Sequence, residues 1–185
     1  MSIASRASLS PQCTGLDQAQ RVIYVGTFAK ILFPALRLGF LVLPPSLHRG
    51  IQHAVSITGQ FAPLLLQAAL ADFIEMGHMA RHLRRMRRIY AVRRQNFRDL
   101  CEAHLGEWMQ LLSGEAGIRI TGLLHGALND NKVAAAALER NVNVSPLSMH
   151  YRHGLAKHGL VMGYAASDEA ITQRAILRLR HAFEA

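Results

Sequence analysis

Lysine is scarce in this sequence, although positive charge is not. Of its 21 basic residues only three are lysines, and the other eighteen are arginines. Cysteine is also rare, since Cys13 and Cys101 form neither a metal-binding pattern nor a disulfide framework. The scarcity of cysteine argues against a disulfide-stabilised scaffold, and we expect a reduced, cytoplasmic protein.

Long hydrophobic runs are missing as well. The longest, FAPLLLQAALA, is interrupted by Gln67, whereas a transmembrane helix needs about 20 apolar residues. No charged-then-apolar leader opens the chain, so we expect no secretory signal. A hydrophobic content of 50% over 185 residues is typical of a globular chain of one domain, or of one domain and part of another. The net charge of +9 favours acidic partners such as nucleic acids or phosphate ligands.

The hydrophobic pattern of the first two thirds predicts two strands followed by helices. RVIYVG, closed by Gly26, and LGFLVL are β-branched and aromatic runs typical of strands covered on both faces. Pro34 separates them. The helical pattern begins near Ser46, a residue able to cap a helix. It continues into a long amphipathic segment, HMARHLRRMRRIYAVRRQNFRDLCEAHL, which ends at Gly106.

The last third alternates strands and helices. GIRITGLL, VNVSPLS and GLVMGYAAS predict strands, and NDNKVAAAALERN and SDEAITQRAILRLRHAFEA predict helices. We expect Ser167 to cap the second of these helices. The whole pattern indicates the α/β fold class.

Lys30 lies in a nearly uncharged stretch, YVGTFAKILFPALRLGFLVLPP, with Arg37 seven residues later. A lysine amine forms a Schiff base with a carbonyl compound, of which the aldehyde of pyridoxal phosphate is the most familiar. An arginine binds phosphate oxygens through its forked guanidinium. A loop between the two strands would bring Thr27, Lys30 and Arg37 to one mouth. On spacing alone, the pattern favours an ordinary loop lysine and a surface arginine.

The same stretch closely resembles the cofactor-lysine segment of fold-type I pyridoxal-phosphate enzymes. In particular it is similar to the branch fused to winged-helix DNA-binding domains, the MocR-type regulators of the GntR family. The resemblance continues in ALADFIEMGHMARHLRRMRRIYAVRR, VNVSPLS and GLVMGYAASDEAI, in the right order. It implies that Lys30 forms the Schiff base with pyridoxal 5'-phosphate, that Arg37 binds the cofactor phosphate and that Thr27 faces that phosphate.

The resemblance also implies a division of the chain. Residues 1–45 would be a remnant of the large cofactor-binding domain, residues 46–110 the connecting helices, and residues 111–185 a small C-terminal α/β domain. We therefore expect a partial fold-type I transferase, the C-terminal part of a longer protein, with apolar strand faces left uncovered and a tendency to self-associate.

Two departures from the family pattern weaken the expected cofactor site. Ala29 stands where the family usually has a serine, and losing that hydroxyl removes roughly 1.5–3 kcal/mol of charge-assisted phosphate binding. Asp17 is the only acid before Lys30, and it falls in a loop-like segment that does not match the acidic strand supplying the partner of the pyridine nitrogen. Because that partner maintains the cofactor as an electron sink, we expect transamination by this chain to be poor or absent.

The sequence leaves three candidate functions for this chain. The first is a fragment of a cofactor-binding, aminotransferase-like transcriptional regulator, homodimeric in the intact family, with an amino-acid-like effector and no membrane partner. In that interpretation DNA is bound only through a winged-helix domain that this chain does not show. The second is an N-terminally truncated free-standing aminotransferase of class I/II. The third is a non-catalytic basic binding module.

Two further features have competing explanations. Eight arginines fall between Arg81 and Arg98, which suits either nucleic-acid phosphates or a helix that is solvated or salt-bridged. His78 and His82 are spaced i, i+4 as helical metal ligands can be, but no third ligand accompanies them, and the other histidine-rich segment, MHYRHGLAKH, is predicted to be a loop. We assign no metal site and no substrate residue.

Overall fold

The chain was analysed as a computed structural model, which describes residues 17–59, 61–113, 117–152, 154 and 157–184. It divides into two compact units, Met1–Arg85 and Met86–Ala185. Our three-part division, with boundaries after residues 45 and 110, stays a prediction beside it. No helix in the described residues has the length and the hydropathy needed to cross a membrane.

The first unit begins with a β-hairpin. Strand β1 (Tyr24–Thr27) pairs antiparallel with β2 (Gly39–Val42), and Tyr24 lies opposite Val42. Both strands are shorter than the sequence predicts, and β1 continues through Gly26 instead of ending there. A side chain at Gly26 would collide with the Phe40 ring, which lies 2.3 Å from an ideal Cβ. Gly26 is therefore a site of close packing within the strand.

Both strands of this hairpin expose apolar side chains, as expected for strands without their covering layer. Val25 is 72% exposed and Val42 is 52% exposed. Apolar residues in the following helices are exposed too, including Leu64 at 82%. This surface is far more apolar than a solvated strand or helix requires.

Three helices follow the hairpin: α1 (His48–Thr58), α2 (Leu64–Glu75) and α3 (His78–Leu105). The predicted cap at Ser46 is wrong, because a short 3-10 turn over Pro45–Leu47 precedes α1 and Leu47 occupies its N-cap position. Helix α3 ends before Gly106, as predicted. Its predicted apolar face is also confirmed, since all six of its members are buried or half-buried: Leu83, Met86, Tyr90, Phe97, Leu100 and Cys101.

The second unit is built around a four-stranded antiparallel sheet in the order β3-β4-β6-β5. Its strands and remaining helices are β3 (Met109–Leu111), β4 (Arg119–Leu124), α4 (Asp130–Glu139), β5 (Ser145–Pro146), β6 (Gly159–Gly163) and α5 (Glu169–Phe183). Every predicted strand and helix of this part is present. Strand β3 was not predicted, and β5 is only two residues long.

The core of the second unit lies between this sheet and helices α3, α4 and α5. Leu105 and Leu160 are fully buried there, beside Phe97 and Ile176. The predicted cap at Ser167 is wrong by one residue. Asp168 caps α5 instead, and its carboxylate accepts from the Ile171 amide.

Gly159 provides a sharp test of packing in this unit. An ideal Cβ there would lie 2.5 Å from the Gly122 carbonyl oxygen, which is backbone and cannot swing away. We expect Gly159→Ala to lower the free energy of unfolding by about 1–3 kcal/mol, as overpacking does. Denaturation followed by the fluorescence of Trp108, the single tryptophan, measures the change.

The matched control for this substitution lies on the same strand. An ideal Cβ at Gly163 meets nothing within 4 Å, so Gly163→Ala is expected to change stability by less than about 0.5 kcal/mol. Equal effects of the two substitutions would contradict the steric explanation.

Candidate cofactor site

The predicted site residues lie on the loop that joins the two strands of the hairpin. The amide of Phe28 donates to the Leu38 carbonyl at 3.0 Å, directly beyond the paired Thr27 and Gly39. This bond brings the two ends of the loop together. Thr27 and Arg37 therefore lie near each other, although the whole loop separates them along the chain.

Lys30 occupies a tight turn at the start of this loop. The amides of Ile31 and Leu32 both donate to the Phe28 carbonyl, at 3.1 and 2.9 Å. Ile31 is buried, whereas Lys30 is exposed. The turn is thus fixed by its backbone bonds and by one buried neighbour. It presents the lysine to solvent.

Arg37 stands at the other end of the loop in a rare backbone conformation. Its φ of 51° and ψ of 25° lie in the left-handed region, which few residues other than glycine adopt. The neighbours on both sides, Leu36 and Leu38, are buried at 7% and 4% exposure. These two anchors hold the strained residue in place, and its side chain is exposed.

Thr27 serves the loop itself. Its hydroxyl group accepts a hydrogen bond from the Ala29 amide at 3.2 Å and donates one to the Leu38 carbonyl at 3.4 Å. The second bond is long for a hydroxyl donor and therefore weak. The hydroxyl proton of Thr27 remains available to an incoming phosphate oxygen at small cost.

The charges of this loop are uncompensated. Over the described residues, the side chains of Lys30 and Arg37 have neither a hydrogen bond nor an ion pair. Two exposed cations on one short, closed loop fit a ligand that has a carbonyl and a phosphate. The donor set therefore suits one end of pyridoxal phosphate.

Two comparisons with known proteins bear on this loop and on the fold around it. The chain is 47% identical over 173 residues to the probable rhizopine catabolism regulatory protein MocR of Rhizobium meliloti, a match that covers 94% of this chain and 35% of that protein. It is 31% identical over 153 residues to the pyridoxine biosynthesis transcriptional regulator PdxR of Corynebacterium glutamicum, covering 80% of this chain and 32% of that one. No protein-family model matches.

The chain belongs to the MocR-type regulators of the GntR family. It spans about a third of the length of these relatives. Its match is to their C-terminal, aminotransferase-like part.

Solved structures confirm the fold of this MocR-type chain as a partial fold-type I transferase. The kynurenine aminotransferase of Pyrococcus horikoshii superposes with a TM-score of 0.87 at 25% identity, over 98% of this chain and 45% of that one. The α-aminoadipate aminotransferase LysN of Thermus thermophilus superposes with a TM-score of 0.85 at 24% identity, over 97% of this chain and 46% of that one.

No acid is left to pair with the pyridine nitrogen among the described residues before Lys30. Asp17, the only acid before Lys30, accepts a hydrogen bond from the Val22 amide at 2.6 Å. Its carboxylate thus closes a local turn. Ala29 offers no hydroxyl. The MocR-type loop therefore offers an amine for the aldehyde of the cofactor and donors for its phosphate. Among the described residues before Lys30, it has no carboxylate left for the ring nitrogen.

The histidine pairs of the sequence have local partners. His82 Nε2 lies 2.9 Å from the Ile31 carbonyl, and His78 Nδ1 lies 3.5 Å from an Arg81 nitrogen. In the described part of the chain, no three His, Cys, Asp or Glu side chains are placed to hold a metal ion. Burial raises the pKa of the Cys101 thiol to about 12, so this cysteine is no nucleophile near neutral pH.

Sequence reasoning missed Asp130, the one fully buried acid among the described residues of the second unit. Its Oδ1 accepts from His158 Nδ1 at 2.8 Å and from the Ser148 hydroxyl at 2.9 Å. Its Oδ2 accepts from the amides of Ser148 at 2.8 Å and Gly159 at 3.2 Å. Burial alone would raise the pKa of this carboxyl, but the bonds from His158, Ser148 and Gly159 outweigh it and lower the pKa to about 2.

The Asp130 cluster resembles a hydrolase triad in composition only. Ser148 and His158 both donate to the same carboxylate oxygen, whereas a triad needs the histidine between the serine and the acid. The cluster therefore joins α4, the turn after β5 and the start of β6. No sequence motif pointed to it, because the partners of Asp130 follow it by 18 to 29 residues.

Proposed function

We propose that this chain is part of a transcriptional regulator that binds pyridoxal phosphate covalently at Lys30. Arg37 binds the cofactor phosphate and Thr27 adds a hydroxyl donor to it. The observation that supports this most directly is the closed loop with two exposed, unpaired cations. The relatives named above as transcriptional regulators support the regulatory role.

The covalent step needs no reagent beyond the two partners. Lys30 would supply the amine that holds the cofactor aldehyde as a Schiff base, with its proton passed to solvent and one water released. Arg37 and Thr27 take no part in bond making. They hold the phosphate and so orient the aldehyde towards the amine.

Amino-group transfer is expected to be slow or absent. When bound, the cofactor supplies an electron sink, whose strength depends on a carboxylate at its ring nitrogen. Of the described residues before Lys30, Asp17 is the only acid, and its carboxylate already accepts from the Val22 amide. The 47% identity to a protein named as a regulatory protein favours the regulator over the second candidate, a truncated aminotransferase.

The intact protein is proposed to be a cytoplasmic homodimer that responds to an amino-acid-like effector. The exposed apolar surfaces around Val25 and Leu64 support burial against further protein. A non-catalytic basic binding module, the third candidate function, is also testable. The charge of +9 favours it independently of the cofactor.

Reductive trapping tests the cofactor assignment. The chain is incubated with pyridoxal phosphate and reduced with borohydride, which converts the C=N bond into a stable secondary amine. Proteolysis and mass spectrometry then locate the adduct. We expect one adduct per chain, at Lys30, because only this lysine has the phosphate-binding arginine on its own loop.

Two matched variants complete that experiment. Lys30→Arg retains the charge but cannot form the C=N bond, so labelling should disappear. Lys132→Arg removes a different exposed lysine and should leave labelling unchanged. An adduct that is spread over Lys132 and Lys157 as well, or that persists in Lys30→Arg, would reject the assignment.

A further inference from the structure

Helix α3 displays an arginine stripe, formed by Arg81, Arg84, Arg85 and Arg88. These residues are spaced i, i+3, i+4 and i+7, so they lie along one face of a single helix. All four are exposed. At a rise of 1.5 Å per residue the stripe is about 10.5 Å long. It is a dense, linear array of positive charge on a rigid element.

The stripe is not neutralised by an acidic side chain among the described residues. The sequence contains no Asp or Glu from residue 76 to residue 98. In this helix Arg98 pairs with Glu102, whereas none of the four stripe residues has an ion pair among the described residues. Arg81 approaches only the neutral or basic His78. Salt bridges therefore do not explain the four stripe residues, and a solvated helix face is the alternative to a bound ligand.

Other arginines of the same helix show what a structural role looks like. Arg93 donates to the Ala165 carbonyl, and Arg98 donates to the Leu112 carbonyl as well as pairing with Glu102. Both are half-buried. The stripe residues lack such anchors among the described residues, so their charge is directed to solvent.

We propose that the arginine stripe binds the phosphate backbone of double-stranded DNA, in addition to any DNA contact made elsewhere in the regulator. A guanidinium forks onto two phosphate oxygens, which suits arginine better than lysine for this purpose. The relatives of this chain include proteins named as regulators, and duplex DNA is the polyanion that such a protein encounters. This proposal does not depend on cofactor binding.

The composition of the helix favours duplex backbone over other anionic partners. Single-stranded nucleic acid is bound by stacking on exposed aromatics, but Tyr90 is half-buried and Phe97 is buried. Membrane-surface helices insert an apolar face beside their basic one. The apolar face of α3 is occupied within the protein, with Leu83 only 8% exposed.

The binding should be independent of base sequence and steeply dependent on salt. Each phosphate contact contributes about 0.9 to the slope of log K against log salt for B-DNA. If three of the four arginines contact phosphates, the stripe contributes about 2.7 to that slope. The stripe would then account for a roughly 40-fold loss of affinity between about 50 and 200 mM salt.

The test uses the full chain and a fluorescent duplex of about 30 base pairs and mixed sequence, titrated at several salt concentrations. We expect the variant with Arg81, Arg84, Arg85 and Arg88 replaced by Gln to bind at least about tenfold more weakly at about 50 mM salt, with a slope shallower by about 2.7. Glutamine is a good helix former, so α3 should persist. A second duplex of scrambled sequence should bind equally well.

A second quadruple variant controls for net charge. Arg119, Arg152, Arg174 and Arg178 are also exposed and have no ion pair among the described residues. Replacing these four by Gln removes the same charge and should change the slope by less than half as much. Equal losses of DNA affinity in the two variants would overturn the proposal, because binding would then depend on net charge and not on the position of the arginines.

Three further outcomes would also overturn it. The first is an absence of duplex binding by the unmodified chain at low salt. The second is tighter binding to polyglutamate than to duplex at equal charge concentration, which would indicate an acidic protein partner. The third is tighter binding to vesicles containing phosphatidylserine, which would indicate a membrane surface.

Discussion

Replacing Asp130 by Asn is expected to destabilise the second unit by about 1–3 kcal/mol, since the substitution removes the charge of a fully buried, hydrogen-bonded carboxylate. The carboxylate accepts on both oxygens. The asparagine side chain retains one acceptor oxygen, which can keep the bonds from the amides of Ser148 and Gly159. Its NH2 group then faces His158 Nδ1 and the Ser148 hydroxyl, so both must change from donor to acceptor and the charge-assisted bonds are lost.

The same carboxylate predicts a loss of stability in acid. Its pKa is about 2 in the folded chain, against an ordinary value of 3.8. Because the folded-state pKa is the lower one, the unfolded chain takes up the proton first as pH falls. The stabilisation is therefore complete above about pH 4 and is lost between about pH 4 and pH 2. Asp130→Asn should flatten this part of the stability profile.

Unfolding followed by Trp108 fluorescence measures both effects, because Trp108 packs against the core of the second unit. Asp168→Asn is the matched control. Asp168 is an exposed N-cap with one side-chain acceptor bond, to the Ile171 amide, and Asn caps a helix about as well as Asp. A loss in this control as large as that in Asp130→Asn would contradict the role given to the buried cluster.

The importance of Asp130 shows what local sequence patterns cannot reveal. The segment NDNKVAAAALERN predicts a helix, and Asn129 caps that helix, α4. The carboxylate acquires its partners only when the chain returns with Ser148 and Gly159, 18 and 29 residues later. Strand β3 was missed for a similar reason, because its three residues form a strand only by pairing with β4.

Features set by neighbouring residues were predictable. The apolar face of α3 follows from a spacing of three and four residues, and its burial was confirmed from Leu83 to Cys101. The cap of α5 was missed by one residue, because Ser167 and Asp168 are both good caps and side-chain geometry chooses between them. The roles of Lys30, Arg37 and Thr27 came from a family resemblance and stay predictions.

Replacing Arg37 by Gly is expected to separate cofactor affinity from stability. The left-handed backbone at φ 51° costs a residue other than glycine roughly 1 kcal/mol. Glycine removes that cost, so Arg37→Gly should stabilise the first unit or leave its stability unchanged. The same change removes the guanidinium. Each charge-assisted bond to the phosphate contributes about 1.5–3 kcal/mol, so affinity should fall at least about tenfold.

Arg37→Lys distinguishes the fork from the charge. Lysine retains a positive charge at the same position but cannot bind two phosphate oxygens in parallel. We expect an intermediate affinity for pyridoxal phosphate in this variant, with unchanged backbone strain. Absorbance titration of both variants and of the unmodified chain gives the three affinities, and denaturation gives their stabilities.

Pyridoxal without its phosphate provides the decisive comparison. Lys30 is unchanged in both Arg37 variants, so the aldehyde still has its amine. If Arg37 acts through the phosphate, all three chains should bind pyridoxal with nearly equal affinity. An equal loss for pyridoxal and pyridoxal phosphate would mean that Arg37 only shapes the loop. Nearly equal affinities for pyridoxal, together with a loss for pyridoxal phosphate, would support the phosphate role proposed for Arg37 and would give a ligand-based reason for its strained backbone.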